Sequence, residues 1–155
     1  MIAEGQTAPD FTLPATGGTS LTLSALRPAR VCLYFYPRDN TPGCTLEAQE
    51  FSALAAEFAA HDCRILGISK DSARTHEGFC QRQGLTITLL SDKDGDTCEA
   101  YGVWAEKKMY GKTHMGIRRS TLLIGGDGVV LRVWPEVSPR GHAAEVLAAL
   151  KARAY

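Results

Sequence analysis

The sequence predicts an α/β fold, a mixed central sheet flanked by helices, and three observations carry that expectation. Residues 30–36 (RVCLYFY) form an unbroken apolar and aromatic run of strand length, as a strand covered on both faces requires. Helical spacing takes over at Cys44, and the alternation of strand and helix then repeats downstream. Near the end, two apolar runs flank Gly125, Gly126 and Asp127, a turn pattern that signals an antiparallel hairpin.

In chain order, residues 11–13 and 20–23 flank Gly17 and Gly18 and predict an N-terminal hairpin, turning where positive φ is cheap. Residues 30–36 follow as the central strand. From Cys44 onward Phe51, Leu54, Ala55 and Phe58 recur at helical spacing, which predicts an amphipathic helix. Residues 64–69 (RILGIS) read as a second buried strand, and Asp71 or Ser72 caps a helix ending near Gly84. Residues 86–90 read as a third strand and 94–101 as a short helix. Residues 104–115 read as irregular, with Trp104 and Tyr110 assigned to core or rim packing ahead of the alternative that they line the mouth of a pocket. Strands over 119–124 and 128–133 form the second hairpin, and 142–152 close the chain as an amphipathic helix. The order βαβ, then α, then ββα is the thioredoxin-like arrangement, here with an N-terminal hairpin extension and an insertion.

With 155 residues the chain is sized for one domain spanning 1–155. Its 17 Lys plus Arg balance 17 Asp plus Glu, which argues against nucleic acid or an acidic membrane surface as partner. No run is long and apolar enough to span a bilayer, and the first ten residues lack a basic start followed by an apolar stretch, so a cytoplasmic protein is expected. Five scattered cysteines (32, 44, 63, 80 and 98) suit a reducing compartment, where a disulfide is transient and catalytic. His61, His76, His114 and His142 show no metal-ligand spacing with them, so neither metal nor other cofactor is expected.

Chemistry concentrates in the run from Tyr36 to Glu47, where an apolar strand gives way to a turn and then to a helix. Cys44 falls at the helix N-terminus, where unpaired backbone N–H groups and the positive end of the macrodipole favour the thiolate, the useful nucleophile. Pro37 has no N–H and a fixed φ, so it ends the strand and shields the sulfur. Pro42 stiffens the turn, and Glu47 is favourable near the helix N-terminus in any case.

Pro37, Thr41 and Cys44 satisfy the spacing Pro, three residues, Thr, two residues, Cys, and on this signature the chain resembles the peroxiredoxins. The segments APDFTLP, FYP, LGIS, LLSDKDG, YGV, GIRRSTLLI and GHAAEVL extend the likeness over nearly the full length. The TPGCT core resembles the Q-type subgroup, also called bacterioferritin comigratory proteins. The resemblance implies a thiol peroxidase acting on hydrogen peroxide and organic hydroperoxides, recycled by thioredoxin or a glutaredoxin and working as a monomer. It implies that the Thr41 hydroxyl, the Cys44 N–H and a guanidinium receive the leaving oxygen. Alternation along a strand sends Arg118 and Arg119 to opposite faces, and the family pattern selects Arg119. Glu47 matches a residue that orients the polar groups of the site.

The sulfenic acid formed on Cys44 needs a second thiol before further peroxide overoxidises it. Many Q-type relatives carry that thiol five residues on, where this chain has Gln49. A second subset carries it on the following helix, and by that resemblance Cys80 is the resolving residue, paired with Cys44 in an intramolecular disulfide. Cys98 stands as the competitor, while Cys32 and Cys63 read as packing residues. Two other functions compete: a thiol-disulfide oxidoreductase and a peroxide-sensing redox relay. The first commonly uses two cysteines three apart, and the residue three after Cys44 is Glu47.

Overall fold

The computed structural model describes residues 1–153. In chain order the elements are β1 (Thr12–Ala15), β2 (Thr19–Thr22), a 3-10 turn (Leu23–Leu26), β3 (Arg30–Phe35), α1 (Pro42–Ala60), β4 (Cys63–Ser69), α2 (Ala73–Gln83) and β5 (Thr88–Ser91). They are followed by α3 (Thr97–Ala100), β6 (Trp104–Met109), β7 (Lys112–Ile117), β8 (Ser120–Ile124), β9 (Val130–Trp134) and α4 (His142–Lys151). Seven strands form one mixed sheet in the order β2-β1-β5-β4-β3-β8-β9. The strands β3, β4 and β5 run parallel, linked by α1 and α2, whereas β8 pairs antiparallel with β3.

Every residue of β3 is buried, as its unbroken apolar run requires. Successive side chains alternate between two cores. Cys32, Tyr34 and Tyr36 join Phe51 and Phe58 of α1, Phe79 of α2 and Val146 of α4 on one face. Leu33 and Phe35 join Leu66, Leu122, Tyr101 and Val103 on the other. The helices are thus divided unequally: α1, α2 and α4 cover the first face, while α3 and the strap around Ala8 and Phe11 cover the second.

Aromatic contacts seat α1 on the sheet. The Phe51 ring stacks on Tyr34 at 4.7 Å and meets Phe58 edge-on at 6.0 Å. Each such pair contributes about 0.5–1.5 kcal/mol beyond its area burial. The first turn of α1 is thereby held just beyond the C-terminal end of β3. The N-terminus of α2 is capped by Ser72, whose hydroxyl accepts the Thr75 N–H at 3.1 Å, and Gly84 ends the helix. The third strand lies slightly later than expected and the short helix is shorter, entered where the Asp92 carboxylate accepts the Thr97 and Cys98 amides.

One expectation is overturned. Residues 104–115 are not irregular: β6 and β7 form a separate two-stranded hairpin with Trp104 opposite Ile117 and Met109 opposite Lys112. Tyr110 and Gly111 make its two-residue turn at φ 52° and 75°, the positive pair that matches strand twist. Most of the hairpin is exposed on both faces, so no burial imposes the alternation that betrays a strand. Tyr110, at the tip, is 97% exposed and packs in neither core nor rim. Trp104 does pack, against the second core, with the Lys70 ammonium 5.3 Å from its ring. Among the described residues, no helix is long and apolar enough to cross a membrane.

Candidate active site

The chain leaves the sheet after Tyr36, whose N–H makes a last bond to the Ile68 carbonyl at 3.1 Å. Pro37, half-buried, offers no N–H to extend the ladder. Thr41 is the N-cap residue of α1, in extended conformation, and Pro42 occupies the first turn, where its missing donor costs nothing. The amides of Gly43 and Cys44 belong to that turn and have no carbonyl partner within the helix. Cys44 itself is 1% exposed.

Arg119 reaches this turn from the segment just before β8. Its Nη2 donates to Cys44 Sγ at 3.3 Å and its Nη1 to Glu47 Oε1 at 2.8 Å. Arg118 is exposed and takes no part in these contacts. One planar guanidinium thus ties the thiol to a carboxylate one turn further along α1, a fork that lysine cannot reproduce. The approach is close: a Cβ added to Gly43 would lie 3.4 Å from Arg119 Nη2 and 3.3 Å from Pro139 Cγ. A larger side chain there would crowd Pro139 and press on the guanidinium that lies over the turn. A cleft of about 410 Å³ opens beside Arg119, bounded by Lys107, Arg118, Pro135 and Val137.

The Thr41 hydroxyl donates to the Arg38 carbonyl at 2.9 Å. To donate to a bound oxygen it must rotate away, which a hydroxyl does freely. Glu47 is fully buried, and burial pushes its carboxyl up to about 7, against the opposing pull of Arg119. Its Oε2, like the Tyr34 hydroxyl, is buried with no hydrogen-bond partner among the described residues.

Glu47 therefore carries a pH signature. Between pH 4.5 and about 7 the folded protein retains a proton on Glu47 that the unfolded chain has released, so this group's contribution to stability falls as pH rises through that window. The difference amounts to about 3 kcal/mol and is constant above the window. Glu47→Gln should accordingly gain stability relative to the parent between pH 4.5 and 8, as read by urea unfolding. A constant difference across that range would show that Glu47 titrates normally.

The remaining thiols are sorted by position. Cys80 is half-buried on α2 and packs against the same core as Cys44; burial and then the charges of Glu77 and Asp39 push its thiol up to about 11. Cys98 is buried in the core on the opposite face of the sheet. Cys63 lies opposite Arg30 at the far end of β3, beside a larger cleft of about 890 Å³ lined by Leu26, Pro28 and Gly126, and burial pushes its thiol up to about 12. That cleft is remote from the reactive turn.

Sequence reasoning missed a buried polar cluster behind the turn. Tyr36, Asp39 and His76 are hydrogen-bonded to one another with no exposed side-chain surface on Asp39 or His76. No local spacing links Asp39 to His76, which lie on different elements and meet only when α2 folds onto the loop.

A thioredoxin-like sheet that holds a buried cysteine in the first turn of a helix, with a guanidinium on its sulfur, defines a thiol-peroxidase architecture. Residues 4–133 match the AhpC/TSA family, and the chain belongs to that family as a peroxiredoxin of the Bcp or Q group. It is 48% identical to a putative peroxiredoxin Bcp of Coxiella burnetii, over 96% of this chain and 99% of the relative. It is also 48% identical to peroxiredoxin Bcp of Xanthomonas campestris, over 94% and 91%. A structure of Xanthomonas campestris peroxiredoxin Q superposes with a TM-score of 0.89 at 47% identity, covering 94% of this chain and 92% of the other. A cysteine-to-serine variant of Xylella fastidiosa PrxQ superposes at 0.93 and 41% identity, covering 98% and 97%. A trapped intermediate and ligand complex of the Xanthomonas campestris bacterioferritin comigratory protein addresses its alkyl peroxide reduction activity.

Proposed function

We propose that Cys44 is the peroxidatic residue and that the substrates are hydrogen peroxide and alkyl hydroperoxides. The Arg119 contact to its sulfur, within the first turn of α1, is the observation that carries this reading. The Cys44 sulfur attacks the nearer peroxide oxygen, the O–O bond breaks, and the electron pair leaves on the farther oxygen as hydroxide or alkoxide, which takes up a proton. Arg119 and the amides of the first turn face the charge that develops on the departing oxygen, joined by the Thr41 hydroxyl once it turns. Glu47 holds the guanidinium in place, and Pro37 keeps water from the sulfur.

Cys44 is left as a sulfenic acid. Cys80 then attacks that sulfur, the S–O bond breaks, water leaves, and an intramolecular disulfide forms. Cys80 shares a core with Cys44, whereas Cys98 lies across the sheet and Cys63 at its other end. In two further structures of the Xanthomonas campestris protein, single cysteines were replaced by serine, and their separation equals that between Cys44 and Cys80. A dithiol protein such as thioredoxin or a glutaredoxin returns both thiols, with the enzyme acting as a monomer in a reducing cytoplasm.

Peptide mapping after one equivalent of peroxide tests the resolving step. The parent should yield a Cys44–Cys80 disulfide, and Cys80→Ser should instead accumulate sulfenic and then sulfinic acid on Cys44. A dominant bridge to Cys98 or Cys63, or only intermolecular dimers, would overturn the assignment of Cys80.

A further inference from the structure

The loop before α1 and the helix that carries Cys80 are joined by three layers of polar contacts. At the centre, His76 Nδ1 lies 2.6 Å from Asp39 Oδ2, and neither side chain is exposed. The other ring nitrogen, Nε2, lies 2.9 Å from the Leu90 carbonyl, which only accepts, so Nε2 carries a hydrogen. The second carboxylate oxygen of Asp39 accepts the Tyr36 hydroxyl at 2.6 Å. The Asp39 N–H donates to Asp71 Oδ2 at 2.9 Å, in the turn that leads into α2. Further out, Arg82 Nη2 donates to Asn40 Oδ1 at 2.8 Å, and Gln49 of α1 donates to Gln83 of α2 at 3.0 Å.

Two sequence positions give this arrangement a consequence for the reaction. Asp39 lies in the loop that feeds the Cys44 turn, and His76 lies one helical turn before Cys80 on the same side of α2. A buried charge-assisted pair is costly to break, because each separated group is left desolvated without its partner. Neither segment can therefore leave the fold alone without exposing or orphaning its half of the pair. While the pair holds, Cys80 stays protonated against its core; opening frees that thiol to ionise in water.

We propose that the Asp39–His76 pair is a latch that makes the Cys44 turn and the Cys80 helix open as one unit, and so sets the rate at which the sulfenic acid becomes a disulfide. The link to disulfide closure rests on Cys80 being the resolving residue. Asp39 and His76 act here as positioning residues: they touch neither sulfur in the reaction and work through the segments they join.

Hydrogen exchange of the reduced protein and stopped-flow closure kinetics test the latch together, with His76→Gln as the first variant. Glutamine can still donate to the Leu90 carbonyl but cannot share a proton with Asp39. Amide exchange over residues 37–45 and over 73–83 should accelerate together, by at least fivefold, while β8 and α4 exchange as in the parent. Disulfide closure should accelerate by a similar factor, and less Cys44 should reach the sulfinic state at a given peroxide dose.

Acceleration over 73–83 with 37–45 unchanged would overturn the coupling, and faster exchange in both with unchanged closure would overturn the gating. If β8 and α4 also accelerate, the fold as a whole has weakened, and Asp39→Asn, which keeps an acceptor for the Tyr36 hydroxyl but removes the charge that faces His76, decides. Joint acceleration of the two segments in that variant supports the latch, and none overturns it. Disulfide mapping of the parent separates the two readings: a bridge from Cys44 to another thiol defeats the Cys80 assignment, while the exchange data still judge the coupling.

Discussion

Cys44→Ser is expected to reduce peroxide turnover to background while leaving the fold intact. Serine is close in size to cysteine, and its hydroxyl gives Arg119 an acceptor where the sulfur stood, so neither the guanidinium nor Glu47 loses a partner. A neutral hydroxyl, however, is a poor nucleophile without an adjacent base, and the side chain hydrogen-bonded to Cys44 among the described residues is the cation Arg119. Catalytic peroxide consumption with a supplied dithiol reductant, read beside far-ultraviolet circular dichroism, checks this. Residual turnover above about one per cent of the parent in a folded variant would mean that another thiol attacks the peroxide.

Arg119→Ala is expected to slow the oxidation of Cys44 on the order of a hundredfold, as removal of an oxyanion donor does. The loss has two sources: the N–H···S contact disappears, and the buried Glu47 Oε1 loses its partner. Arg119→Lys should recover only part of the rate, since an ammonium cannot span sulfur and carboxylate as the planar fork does. Arg118→Ala should stay near the parent, because that side chain points to solvent. Second-order oxidation constants from stopped-flow fluorescence decide between the neighbours. A large loss in Arg118→Ala with none in Arg119→Ala would reverse the assignment.

How much of this was legible beforehand depends on whether a signal is local. The apolar run of β3, the helical spacing through Phe51 and Phe58, the Ser72 cap and the two glycine turns each express burial or backbone strain within a few residues. All of these elements stand where they were expected. The β6–β7 hairpin escaped because its largely exposed faces leave no alternating pattern, and its turn uses Tyr110 where asparagine or aspartate is the usual cue.

The amino-acid sequence alone determined the thioredoxin-like order of elements, the family, and the cysteine at the head of a helix. Each follows from a short motif or a periodicity. Only the tertiary structure decided that Arg119 bridges Cys44 and Glu47, that Cys80 shares a core with Cys44 while Cys98 lies across the sheet, and that Asp39 is locked to His76. The physical reason is the same in each case. These contacts join residues from separate elements, and which side chains become neighbours is set by how α1, α2 and β8 pack around β3, which no spacing along the chain encodes.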